Sequence, residues 1–166
     1  PLKPWLREID ALKDKTALAR LFGRLQGVAG TPLQLAVGPD DKDPDTYRMQ
    51  TWQSGLGLPD RDYYLKDDER LLKARAAYMA YLRTLLQAAG DTRPAASAEQ
   101  VYTLEKRLAE AQWTRVETRD PIKRYNPMTA VELQARAPLP WQPWLASAGV
   151  EPPERVIVAQ PSYVDA

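Results

Sequence analysis

Cysteine and histidine are both missing from the 166 residues. Without thiols there is no disulfide framework, thiolate metal site, iron–sulfur cluster or thiol nucleophile. Without imidazoles, Ser-His-Asp and Cys-His catalysis, His-ligated zinc and any His general base are excluded as well. Nor is charge of one sign in surplus: 23 Lys and Arg against 22 Asp and Glu leave a net charge of +1, too little to hold a phosphate backbone or an anionic membrane. Nucleic-acid partners are therefore not expected. No apolar run approaches the roughly 20 residues of a membrane-crossing helix, so no membrane-spanning segment is expected. Glycine is scarce, 8 residues against 15 prolines, and many of the prolines fall where helices should start or stop.

What is present is 44% hydrophobic and 27% charged, enough for one domain with a core or a large piece of a bigger architecture. The chain opens on Pro1, with neither an initiator Met nor a signal-peptide pattern, and is expected to be part of something longer.

Leu2, Trp5, Leu6, Ile9 and Leu12 recur at helical spacing behind Pro4, which predicts a first helix ending near Asp14. Thr16 is the expected N-cap of a second, with the stripe Leu18, Leu21, Phe22, Leu25 closing toward Gly27 and Gly30. The period then changes. Leu33, Leu35 and Val37 alternate with Gln34 and Ala36, and Tyr47 to Trp52 is strand-like. An antiparallel hairpin is predicted, with strands at about 33–37 and 47–52 and a polar loop from Gly38 to Asp45. Asp67 should cap a long helix to Ala89, with Leu71, Tyr78, Leu82, Leu85 and Ala89 on a broad buried face and Leu72, Tyr81 and Leu86 beside them. Ser97-Ala98-Glu99-Gln100 has capping-box form and should open a second long helix reaching about Thr118, packed antiparallel on the first. Thr129-Ala130-Val131-Glu132 repeats that form before a short helix ending ahead of Pro138. Trp141 to Leu145 makes another short helix, and 155–159 is a late strand able to join the hairpin. The fold class is mainly α, of the α+β kind: two long antiparallel helices, several short ones and a small antiparallel sheet.

Several constellations invite chemistry. Asp41-Lys42-Asp43-Pro44-Asp45 has the alternating carboxylates of a calcium loop, but Thr46 stands where glycine is needed and Trp52 where a bidentate Glu is needed, so a polar hairpin loop is favoured. Gly55-Leu56-Gly57 lacks the third glycine and the flanking strand and helix of a dinucleotide site. Glu99, Glu105 and Glu110, interleaved with Lys106, Arg107 and Arg115, read as a solvated, salt-bridged face rather than an acid/base pair. Arg119-Asp120-Pro121 with Lys123-Arg124-Tyr125-Asn126 reads as a cluster tying down exposed backbone groups.

In order and spacing, Gly55-Leu56-Gly57-Leu58-Pro59-Asp60-Arg61-Asp62-Tyr63-Tyr64, then Leu104-Glu105, then Arg119-Asp120-Pro121 and Tyr125-Asn126-Pro127-Met128, resemble the N-terminal region of neprilysin-type zinc metallopeptidases. Asp40 to Asp43, Pro140-Trp141 and the segment from Val156 to Pro161 extend the resemblance over essentially the whole chain. It implies an endopeptidase outside the cytoplasm, periplasmic, secreted or membrane-anchored, with two mainly helical lobes around a chamber that admits small peptides. The family's zinc ligands, on a His-Glu-x-x-His helix and a downstream Glu, match no position here, so neither a catalytic nor a metal-binding residue carries over. Residues 1–166 are expected to be one structural unit, a fragment of the N-terminal lobe. Its partners would be the remainder of the same polypeptide, which carries the zinc, and the peptide substrate of the parent enzyme. Gly55, Gly57, Pro59, Arg61, Asp62, Tyr63, Tyr64, Glu105, Arg119, Asp120, Pro121 and Asn126 are expected to be structural. The loop among them should form an ordered latch, with its charged residues bonded to backbone and Tyr63 and Tyr64 packed on the long helix. A different class of function, a free-standing helical domain that binds a peptide or protein partner, is also open to this composition. A hydrolase working through Asp or Glu alone has no distinctive motif behind it.

Overall fold

The computed structural model describes residues 2–151 and 153–166. In chain order its helices are α1 (Lys3–Asp10), α2 (Lys15–Leu25), α3 (Asp62–Leu65), α4 (Glu69–Ala88), α5 (Pro94–Ala111), α6 (Ala130–Arg136), α7 (Trp141–Ser147) and α8 (Pro161–Asp165). The strands are β1 (Leu33–Asp40), β2 (Asp43–Gln53), β3 (Pro127–Met128) and β4 (Val156–Val158). The chain is mainly α with a small sheet, and it divides into two compact units, one of residues up to Ser54 together with Val116–Ala166, the other of Gly55–Arg115.

In the first unit the sheet runs in the order β1-β2-β4-β3. Leu33 and Leu35 of β1 pack with Met49, Val156 and Val158 against Ala19, Leu133, Trp141, Trp144 and Leu145. Helices α2 and α7 meet closely because Gly23 has no side chain: a Cβ there would lie 2.3 Å from the Trp144 carbonyl oxygen. The hairpin is longer than its composition suggests. Gly38 pairs with Arg48 and Pro39 with Tyr47, and the register then shifts so that Asp40 faces Asp43. Residues 38–45 therefore belong mostly to the strands, with only 41 and 42 at the turn. Polar residues continue the ladder because Asp41, Lys42, Asp43 and Asp45 face solvent while the buried Asp40 is met by donors, and the shift gives Pro44 the irregular position that a strand proline needs.

The late strand also departs from expectation in direction, since β4 runs parallel to β2 and antiparallel to β3, making the sheet mixed. No hairpin turn ties β4 to β2, so sequence proximity did not fix its sense. The unpredicted α8 follows at once, and its Tyr163 hydroxyl lies 3.0 Å from the Pro32 carbonyl oxygen. At the outer edge of the sheet, the Gln26 side chain accepts from Leu35 N–H at 3.3 Å and donates to the Leu33 carbonyl at 3.4 Å.

Three helix starts are displaced. Asp14, not Thr16, caps α2 by accepting from Ala17 N–H at 2.7 Å. In the second unit Asp68, not Asp67, caps α4, accepting from Leu71 N–H at 3.0 Å. Helix α5 opens at Pro94 rather than Ser97 and closes at Ala111 rather than Thr118. Pro94 takes the first turn, where a missing N–H costs nothing, and Ser97 instead hydrogen-bonds Asp91. The pairings of Arg83 with Glu99 at 3.5 Å and of Tyr78 with Glu105 at 2.8 Å set α4 and α5 antiparallel. The face of α4 they bury is narrower than expected: Leu71 and Leu82 are covered, while Leu72, Tyr81, Leu85 and Ala89 are exposed.

Candidate functional site

In the second unit the segment that opens at Gly55 is organised around one carboxylate. Glu105 stands on α5 with 9% exposure, turned inward and not on a solvated face. Its Oε1 accepts from Gly57 N–H at 3.2 Å and from the Tyr78 hydroxyl at 2.8 Å, and its Oε2 accepts from the Tyr64 hydroxyl at 2.9 Å. Tyr64 in turn accepts from Leu58 N–H at 2.9 Å. Burial first, and then the neighbouring Glu105 carboxylate, push both phenols well above the usual tyrosine range. They stay protonated and keep donating, which is how a buried carboxylate is tolerated. A side chain at Gly57 would force Tyr78 to shift, because a Cβ would sit 1.9 Å from the Tyr78 hydroxyl oxygen. Gly55 adopts φ 87°, the left-handed region.

Of the charged residues around α3, Arg61 and Asp60 bind backbone, while Asp62 binds a side chain. Arg61 Nε donates to the Ala109 carbonyl at 3.1 Å, Asp60 accepts from Asp62 N–H at 2.9 Å, and Asp62 pairs with Lys66 at 2.7 Å. Tyr63 supplies its carbonyl to Arg75, which also binds the Lys66 carbonyl and pairs with Asp67 at 2.8 Å. Arg75 carries no signal in the sequence, and Tyr78 reads there only as a member of an apolar face. An Arg on a helix facing a loop carbonyl leaves no trace in spacing, and Tyr78 was indistinguishable from the apolar stripe around it. Tyr64 stacks on Tyr102 with ring centres 5.6 Å apart, while Pro59 is exposed and contributes its fixed φ.

Arg119, Asp120, Pro121 and Asn126 lie in the first unit. Asp120 Oδ1 accepts from Ile122 and Lys123 N–H at 2.9 and 3.1 Å. Asn126 donates through Nδ2 to the carbonyls of Lys123 at 2.7 Å and Val158 at 3.0 Å, and its own carbonyl accepts from Val158 N–H at 2.9 Å, pinning the chain beside β4. Arg119 is exposed and closes its turn through its backbone N–H to Val116. Pro121 is exposed as well.

A second buried carboxylate, Asp40, holds the tip of the hairpin. With 2% exposure it accepts from Lys42 N–H at 2.9 Å, Arg48 Nε at 2.6 Å and the Tyr125 hydroxyl at 3.2 Å. The Lys42 N–H, with help from Tyr125 and Arg48, holds its carboxyl below the usual range.

Both clusters are closed on themselves: each carboxylate is saturated by donors, and neither presents a nucleophile or an acid/base pair to an open surface. Among the described residues no group of three or more Asp and Glu side chains is placed to hold a metal ion. Zinc, which the resemblance implies for the parent enzyme, does not fit the donors present, since a zinc site draws on His or Cys and the sequence has neither.

Comparison with known proteins agrees with the motif. The model for the N-terminal part of peptidase family M13 matches residues 1–166. Endothelin-converting enzyme-like 1 of Mus musculus is 35% identical over 133 residues, 77% of this chain and 17% of its own length. Endothelin-converting enzyme 1 of Homo sapiens is 32% identical over 136 residues, 78% of this chain and 18% of its own. Among solved structures, the inhibitor complex of Mycobacterium tuberculosis zinc metalloprotease ZMP1 superposes with a TM-score of 0.90 at 33% identity, covering 99% of this chain and 26% of that one. PepO from Lactobacillus rhamnosis, at 18% identity and a TM-score of 0.76, shares the fold. The chain belongs to peptidase family M13, in the N-terminal part of these neprilysin-type metallopeptidases. It spans 17% to 18% of those two curated relatives and about a quarter of the solved ones.

Proposed function

We propose that this chain is a non-catalytic part of a zinc endopeptidase that hydrolyses small peptides, and that it forms part of the wall of the substrate chamber. The observation that carries this is the absence of His and Cys from a chain matched along its whole length by the family's N-terminal model. The chemistry of such an enzyme needs ligands that this segment cannot supply. Its own residues do something else. The Glu105 and Asp40 clusters hold two segments of irregular backbone rigid, which suits a wall whose task is to exclude folded proteins and shape the space where a peptide lies. The residues from Gly55 to Tyr64, with Glu105, Arg119, Asp120, Pro121 and Asn126, act as structural fasteners in this reading. The rest of the same polypeptide is the partner, the zinc belongs there, and the enzyme works outside the cytoplasm. No described helix is long and apolar enough to cross a membrane.

Zinc titration calorimetry and a chelator-controlled peptide cleavage assay on the purified chain test this. Neither stoichiometric zinc nor cleavage is expected, whereas the longer enzyme should show both. Tight one-to-one zinc, or chelator-sensitive cleavage by residues 1–166 alone, overturns the proposal.

A further inference from the structure

The side chains of β1 and β2 alternate between two faces. Leu33, Leu35, Met49 and Thr51 point into the core. Ala36 and Gly38 of β1, with Gln50 and Trp52 of β2, lie on the opposite face, where they line a groove of about 460 Å³ together with Arg124 and Gln160. That volume is within the range of ligand sites. Its form follows from the register. Ala36 faces Gln50 and Gly38 faces Arg48, so small residues on β1 run beside tall ones on β2 and leave a trough along the strands.

The polar groups are sparse and spaced. Gln50 Nε2 donates to the Pro39 carbonyl at 3.0 Å, leaving its Oε1 to accept. Gln160 has 3% exposure and its Oε1 accepts from Gln53 N–H at 2.9 Å, leaving its Nε2 to donate. Arg124 is the one charged residue among the described lining residues, and its exposed guanidinium pairs with no described carboxylate.

We infer that this groove binds an extended peptide segment bearing one carboxylate side chain, which Arg124 pairs while Gln50 and Gln160 engage the peptide groups. A linear trough with an accepting and a donating amide matches a backbone whose N–H and C=O groups recur along it, and Trp52 offers a flat face for a neighbouring side chain. One guanidinium complements one carboxylate. A polyphosphate would call for several cations, and an anionic membrane for a patch of them. The inference rests on the reading above, which brings peptides to this chain, and it adds a preference for peptides with an acidic residue.

The test is a titration of the isotope-labelled 166-residue chain with acetyl-Ala-Ser-Ala-Glu-Ala-Ser-Ala-amide, followed through the nuclear magnetic resonances of the Trp52 indole N–H and the Gly38 amide. Both should move. The peptide with Gln in place of Glu, and the Arg124→Gln chain with the original peptide, should each bind about tenfold more weakly. Arg20→Gln, which removes an exposed cation of α2 outside the groove, should leave affinity unchanged, and sodium acetate at the same concentration should move neither resonance. Equal affinity for the Glu and Gln peptides, shifts confined to other residues, the same shifts with acetate, or no binding overturns the inference. Because Arg124 is exposed, its variant should keep the parent circular dichroism spectrum. The outcome is separable from the fate of the enzyme reading: a silent groove beside peptide cleavage by the longer enzyme removes only the groove, while groove binding beside a longer chain that cleaves nothing removes only the enzyme.

Discussion

Gly57 and Glu105 are 48 residues apart in sequence, yet each is the size and chemistry it is because of the other. The carboxylate needs a close backbone N–H, and only a residue without a side chain brings one past the Tyr78 hydroxyl. Gly57→Ala should therefore destabilise the chain by about 1–3 kcal/mol, the usual cost of forcing atoms into a packed site. Gly38→Ala, whose Cβ would meet nothing nearer than 3.5 Å, should cost nothing measurable; urea denaturation of the two variants decides. Ionisation adds a second expectation. Asp40 and Glu132 have carboxyls held below their ordinary range, chiefly by the backbone N–H groups of Lys42 and Thr129. Their contribution is whole above about pH 5 and drains away as pH falls through the carboxylate range, because the unfolded chain takes up protons first. Tyr64 and Tyr78 are raised, so theirs is whole below about pH 10 and is lost above it. Urea midpoints against pH should show a plateau between these limits, with Asp40→Asn flattening the acid limb and Tyr64→Phe the alkaline one.

Among the elements, helices at Lys3–Asp10, Lys15–Leu25, Glu69–Ala88 and Trp141–Ser147 were legible because apolar periodicity and Pro or Gly punctuation agree there. The capping box at Thr129 forms as read, with Glu132 N–H donating to Thr129 Oγ1 at 3.2 Å and Thr129 N–H to the Glu132 carboxylate at 2.7 Å. Where two acidic residues are adjacent, pattern alone does not choose between them. Asp67 and Asp68 both suit a cap, and tertiary chemistry settles it by giving Asp67 to Arg75. Asp68→Ala should thus lower stability by about 1 kcal/mol, and Asp67→Ala, which breaks an exposed ion pair, by no more than about half of that; parallel thermal melts would reveal a reversed order. The inward turn of Glu105 was illegible for a related reason. Its charge argued for solvent, and only the arrival of three donors from elsewhere in the chain makes burial tolerable. The α3 helix is likewise invisible in a four-residue window, where no period can be counted.

At the level of the whole molecule, Leu72, Tyr81 and Leu85 of α4 and Leu104 of α5 are exposed by 47% to 58%. A chain carrying these side chains in water should bind a hydrophobic dye and self-associate as its concentration rises, more than the longer enzyme does. Fluorescence of the bound dye with size-exclusion chromatography checks this, and Leu72→Glu with Leu85→Glu should reduce both signals. The edge of the sheet is guarded in another way. Gln26 occupies the outward carbonyl of Leu33 and the outward N–H of Leu35, Pro39 has no N–H to offer, and its carbonyl is taken by Gln50. Of the outward-facing groups on β1, the Leu35 carbonyl and the N–H and carbonyl of Val37 remain open among the described residues, a gap of about two residues between two occupied stretches. Another copy arriving edge to edge could not lay down a ladder there. Whatever association the apolar helices bring about should stay that of dispersed globules and stop short of fibrils, because β1, the longer of the two edge strands, already has the outward groups toward both of its ends taken and β3 is only two residues long.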